Sequence, residues 1–275
     1  MNNLILDALK QVVIRYPNIA EHLHGSARWM AEVYNAKMGD PNEEARMKDE
    51  RRLERNVSRF LTEQQERVIK EIERDDTRKS VYQRNFWDDE ESRMWNELSE
   101  DFVGILIHGA DEGIVSLEGA SSLINPDNIN RALIEYARQY RYEWISKITD
   151  TTRRAVQSAV SSWLESGDPL DNLITMLSNT FSKTRAARIA ATEVTRLRAK
   201  ANQMAWQESG VVREFRWSTA MDDLVCMICA PREGKLFPLD QMDQLLPAHV
   251  NCRCVGFPVV DEDLFEQQQR QILGL

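Results

Sequence analysis

The apolar positions of the first two-thirds of the chain recur at intervals of three, four and seven, the spacing that lines one face of a helix. After the turn signal Gly39-Asp40-Pro41, a densely charged segment running to about Arg78 carries Leu53, Val57, Phe60, Leu61, Val68, Ile69 and Ile72 on one stripe. Glu63 with Arg67 and Glu66 with Lys70 add favourable pairs four residues apart. This predicts a long, narrow-faced helix, with its stripe turned either to a partner or to the protein's own core. A second helix is predicted from the acidic run Asp88-Asp89-Glu90-Glu91, with Trp95, Leu98, Phe102, Ile105 and Leu106 on its face. Gly104, Gly109, Gly113 and Gly119 interrupt the pattern, so Gly109 to Asn125 is expected to be a turn or short helix and a boundary between halves.

Helical spacing then resumes. Asn125-Pro126-Asp127 opens a helix with Ile129, Leu133, Tyr136 and Tyr140. Thr149-Asp150 reads as the cap of the next, which carries Val156, Val160, Trp163 and Leu164 and stops at Gly167. Asp168-Pro169 reads as an N-cap with proline at the first helical position, before Leu170, Leu173, Ile174 and Leu177. The best-defined helix runs from Lys183 to about Ser209, ending at Gly210. Past it the period changes to two. Arg213 to Ser218, with Phe215 and Trp217 on one side, and Cys254 to Val260 are strand signals. The tail from Asp261 to Leu275 is polar, an arm or short helix. The fold class is therefore α+β and predominantly helical. The chain divides into a charged helical region over residues 1–125, a module of helices and short strands over 126–260, and a tail over 261–275.

Between the two strand signals lies the densest chemistry of the chain. Cys226-Met-Ile-Cys229 is followed by His249, Cys252 and Cys254, so all four cysteines and one of four histidines fall within residues 226–254. A CxxC turn presents two thiolates to one ion, and His249 with Cys252, three apart, can offer two more ligands from one tight turn. Cys252 and Cys254, two apart, would share a strand face. Three cysteines with His249, or all four cysteines, would complete a structural zinc site; two disulfides with His249 free are the alternative.

The N-terminus lacks a basic start followed by a long apolar run, and no stretch reaches the length of a membrane span, so a reducing cytoplasm is the default and zinc the favoured reading. A net charge of −9 argues against a surface built wholly for nucleic acid. Locally, the segment from Lys183 to Arg216 holds eight basic residues against three acidic ones. On the helical wheel Ala186, Ala190, Val194, Leu197 and Ala201 form an apolar face, and Arg185, Arg188, Thr192, Arg196 and Lys200 a separate stripe. That stripe could follow a phosphate backbone at Arg185, Arg188, Arg196 and Lys200, or satisfy acidic neighbours within the chain. Glu193, at the margin of the apolar face, is a candidate for a buried ion pair with a nearby arginine.

A hydrolase or nuclease could be assembled from Asp222, Asp223 and His249 with Glu193 as base, yet no complete catalytic motif is present. No catalytic residue is expected, and His22, His24 and His108 lie in contexts that suggest no ligand role.

Several separated elements occur here in a recognisable order: Arg185-Ala-Ala-Arg188-Ile-Ala-Ala-Thr192-Glu193, Gly210-Val-Val, Phe215-Arg-Trp217-Ser-Thr, Asp222-Asp-Leu-Val-Cys226-Met-Ile-Cys229, Gly234-Lys, and Pro247-Ala-His249-Val-Asn-Cys252-Arg-Cys254. Over about Ile145 to Val260 the chain resembles the Mu F-like family of phage minor head, or head morphogenesis, proteins. The resemblance implies a low-copy component of a tailed-phage head, associated with the portal vertex and the major capsid or scaffold protein during assembly. It also implies a part in packaging or ejection of double-stranded DNA, and a place in the virion interior after assembly in the host cytoplasm. It implies a structural protein with no enzyme activity and no membrane partner. Where the family pattern has Arg-Thr-Glu, this chain has Ala191-Thr192-Glu193, which removes one arginine from that position.

Overall fold

The computed structural model describes residues 40, 42–74, 80–220 and 225–273. The expectations for His22, His24, Asp222 and Asp223 lie outside them. Helix α1, Glu43–Arg74, buries Leu53, Val57, Phe60, Leu61, Val68 and Ile72. Its stripe faces the protein's own core, against α2, Arg84–Val115, and α6, Lys183–Ser209. Between α2 and α6 the chain forms α3, Pro126–Tyr140, α4, Ser146–Ser166, and α5, Leu170–Leu177. A three-stranded antiparallel sheet follows, in the order β2-β1-β3: β1 Val212–Ser218, β2 Leu236–Pro238 and β3 Val255–Val260. The short helix α7, Met242–Leu245, lies between β2 and β3, and α8, Glu262–Leu273, ends the described chain.

Four boundaries differ from the sequence reading. Helix α2 starts one turn before the acidic run, and Glu90 within that run is buried, held by Arg67 from α1 at 2.7 Å. The same helix passes unbroken through Gly104, Gly109 and Gly113, where a turn and boundary were expected. The glycines are there for close packing, because a Cβ on Gly109 would stand 2.9 Å from the Cα of Arg198, and one on Gly113 2.9 Å from the Cβ of Ala205. Small residues on both helices bring α2 and α6 together across the expected divide. Thr149 is not a cap either: a π-helical turn, Arg141–Ile145, joins α3 to α4 without a break, and Thr149 is buried inside α4. At α5 the N-cap is Pro169 rather than Asp168.

Elsewhere local chemistry and structure agree. Asn125 Oδ1 accepts from the amide of Asp127 at 3.0 Å, and Ser182 Oγ from the amide of Arg185 at 3.1 Å. Gly167 and Gly210 end α4 and α6 in the left-handed conformation.

Glycine within a helix normally costs up to about 1 kcal/mol relative to alanine. At Gly109 the clash with the α6 backbone should reverse that sign. Gly109→Ala is expected to destabilise the fold by about 1–3 kcal/mol, as overpacking does. Urea denaturation checks this, and a stabilised variant would contradict the close approach.

Candidate metal centre

Helix α6 organises the site. Its predicted apolar face is fully buried, but so is much of its polar side: Thr192, Glu193, Thr195, Arg198, Asn202 and Gln203 are all buried. Each buried hydroxyl, amide or charge must then find a partner within the fold. Two of the hydroxyls anchor the knot. Thr192 Oγ1 accepts from the amide of Asn251 at 2.8 Å, and Thr195 Oγ1 donates to the carbonyl of Cys252 at 2.6 Å. The loop they grip is a tight turn, closed by the Cys252 amide donating to the His249 carbonyl at 3.2 Å. Asn251 adopts φ 66° within it, a left-handed conformation that asparagine tolerates better than most residues.

On the other side, the Cys226–Cys229 turn is closed by the amides of Cys229 and Ala230, which both donate to the Cys226 carbonyl, at 3.1 and 2.9 Å. The sheet brings the two loops together, since β1 pairs with β2 and β3 on its two edges. Trp217, whose buried ring is overlain by the guanidinium of Arg232 at 4.9 Å, braces the base of the first loop.

The five donors predicted from sequence all meet here. His249 Nε2 lies 3.1 Å from Cys226 Sγ and 3.2 Å from Cys229 Sγ, and Cys229 Sγ lies 4.0 Å from Cys252 Sγ. Two triads result, Cys226 with Cys229 and His249, and Cys229 with Cys252 and Cys254, each with its donor atoms within 4.8 Å of one another. All four cysteines are free in this conformation. A zinc ion with bonds of about 2.3 Å to sulfur has sulfur–sulfur edges of about 3.8 Å. The spacings of 3.1, 3.2 and 4.0 Å lie near the edges of such a site, and the two triads meet at Cys229.

The histidine is oriented for the same purpose. Its Nδ1 lies 2.8 Å from the Val250 carbonyl, which can only accept, so Nδ1 carries the proton and Nε2 is left with its lone pair towards the thiols. That same hydrogen bond, more than any other influence, raises the His249 pKa. Among the thiols, the hydrogen bond from Cys254 holds Cys252 down at about 5, while burial and the neighbouring Cys252 push Cys229 up to about 12. Cys254, the donor of that hydrogen bond, is driven well above the ordinary thiol range. At Cys226 burial works upward but is outweighed by the peptide groups of Cys229 and Ile228, leaving its pKa lowered. A divalent cation would draw all its ligating thiols into the thiolate form.

The knot is also tied to the N-terminal helices, through residues that the sequence did not single out. Arg253, between two of the cysteines, makes a bidentate pair with Glu50 of α1 at 3.0 and 2.5 Å, and its carbonyl accepts from Arg46 at 2.6 Å. Nothing in the charge pattern of α1 marks Glu50 or Arg46 apart from its other charged residues. Loss of this clamp is expected to loosen the first turns of α1 selectively. Arg253→Ala should raise amide exchange over residues 43–50 by tenfold or more, about 1.4 kcal/mol of local opening, and leave the second half of α1 unchanged. Uniform exchange along α1 would show that the clamp carries no local stability.

The cationic stripe of α6 is mostly committed to internal partners. Arg185 donates to Thr152 Oγ1 at 2.8 Å and to the Thr180 carbonyl at 2.8 Å. Arg196 pairs with Glu193 at 3.0 Å and lies 3.4 Å over the ring of Trp144 from the π-helical turn. Lys200 pairs with Asp243 at 2.7 Å. Arg188 is exposed. Glu193 does form the predicted buried ion pair, with the arginine one turn later, and also accepts from Tyr140 at 2.7 Å. As the base of a hydrolytic site it is therefore already engaged. His108, which suggested no role, pairs with buried Asp49 at 3.0 Å.

With the geometry in view, comparison with known proteins agrees with the motifs. Residues 154–257 match the family model described as Phage Mu protein F like protein, a span that holds α5, α6, nearly all of the sheet and all five donors. Over that span, a little over a third of the chain, the protein is similar to the Mu F-like family of phage head morphogenesis proteins. No curated protein matches the chain, and no solved structure does. Among the described residues, no helix is long and apolar enough to cross a membrane.

Proposed function

We propose that this protein is a structural minor component of a tailed-phage head, bound to the portal and the inner capsid surface, and acting in head assembly and in packaging or ejection of DNA. The match over residues 154–257, which coincides with the knot and its supports, carries this reading. In it the knot holds one zinc ion in a purely structural role. Four protein donors fill a tetrahedral zinc and leave no position for a water or substrate, and more than four are gathered here. Catalysis has no part in the reading. Contact with packaged double-stranded DNA enters it through Arg188, the exposed member of the α6 stripe.

Quantitative mass spectrometry of density-purified particles, with and without packaged DNA, tests the assignment. The chain should be present in both at low copy relative to the major capsid protein. A chain abundant in the lysate and absent from both particles would instead be an assembly factor or an enzyme.

A further inference from the structure

The geometry points to a single ligand set among the five donors: Cys226, Cys229, His249 and Cys252 bind the metal, and Cys254 is a non-ligating thiol that lies against Cys252. This rests on the reading of the knot as a metal site and assigns what the sequence left open.

His249 is included because its free Nε2 lies within 3.2 Å of two thiol sulfurs, in the tautomer fixed by Val250. A site of four cysteines would leave that lone pair facing bound thiolates with nothing to accept from or coordinate, an unfavourable arrangement. Cys229 belongs to both donor triads, so a single ion that draws on both loops must take it. With Cys226, Cys229 and His249 placed, one position remains for Cys252 or Cys254.

Distance does not separate them, since Cys252 and Cys254 share one triad with Cys229, but the backbone does: Cys252, whose Sγ lies 4.0 Å from that of Cys229, sits on the same closed turn as His249. That turn is gripped by Thr192 and Thr195, so the two donors move as one unit. Cys254 belongs to a different element. It precedes Val255, whose register opposite Ser218 is fixed by the β1–β3 ladder, so its position follows the sheet and not the turn. A buried thiol beside a ligating sulfur can donate an S–H hydrogen bond to it, the outer-shell support that ligating groups commonly receive.

Zinc-edge X-ray absorption on the loaded full chain, together with Cys254→Ser and Cys252→Ser variants, tests the assignment. Three sulfur donors and one nitrogen are expected in the unmodified protein, the same shell in Cys254→Ser, and loss of one sulfur or of the metal in Cys252→Ser. Four sulfurs in the unmodified protein, or a sulfur lost from Cys254→Ser and kept in Cys252→Ser, would overturn it. Thiol labelling of the zinc-loaded unmodified protein in urea needs no variant: a single label at Cys254 supports the assignment, and a label at Cys252 overturns it. A chain that takes up no zinc at all would overturn the metal reading itself, whereas zinc held by the other set overturns only the choice of ligands.

Discussion

Replacing Cys226 with serine should lower the melting temperature by about 8–16 °C. Cys226 is only half-buried, so the change removes little packing, and the loss reports the metal. A ligand held by the native state alone, at a free concentration 1,000-fold above its dissociation constant, stabilises by about 4 kcal/mol, and each kcal/mol shifts a domain of this size by about 2–4 °C. Calorimetry of the zinc-loaded chain with and without a strong chelator gives the same quantity independently. The chelator should produce a similar drop in the unmodified protein and almost none in Cys226→Ser. Equal melting temperatures in all four samples would mean that the knot needs no metal.

A loss of similar size is expected at the other buried charge centre. Arg198 on α6 pairs with Asp49 of α1 at 2.9 Å and with Glu112 of α2, so one guanidinium joins the three central helices. Burial raises the Glu112 pKa even against the attraction of Arg198, a sign of how poorly that carboxylate would stand alone. Arg198→Met fills the space and leaves the buried Glu112 without its cationic partner, with only the Asn42 side chain still hydrogen-bonded to it. Asp49 keeps His108 and Arg52 as partners. Removing one member of a buried ionic group typically costs about 3–5 kcal/mol, and denaturant titration of this variant should fall in that range. The double variant Arg198→Met with Glu112→Leu should recover part of the loss, because an unpaired charge costs more than an apolar pair. No recovery would place the loss in packing instead.

The sequence made some parts of this fold legible because the forces there are local. The helix opening at Asn125, the left-handed glycines at Gly167 and Gly210, and the period of α6 all act within a few residues. The five knot donors were visible because few alternatives explain such residues so close together. What the sequence concealed depends on partners distant along the chain. Gly109 and Gly113 read as breakers, since their reason for being small lies on α6, some ninety residues away. Glu90 read as a helix-start residue, since its partner Arg67 is on another helix. Thr192 looked like part of a polar stripe, and only the returning loop at Asn251 shows why a hydroxyl is needed there. The basic stripe had two readings on the wheel, and internal acids and carbonyls engage Arg185, Arg196 and Lys200.

In the proposed function this chain is a built-in head component whose C-terminal module is stapled by a metal. Native mass spectrometry of the chain released from density-purified, DNA-filled particles distinguishes this from the alternatives. One zinc ion per chain, with every cysteine reduced, is expected. A metal-free chain carrying two disulfides, or no chain in the particles, would contradict it.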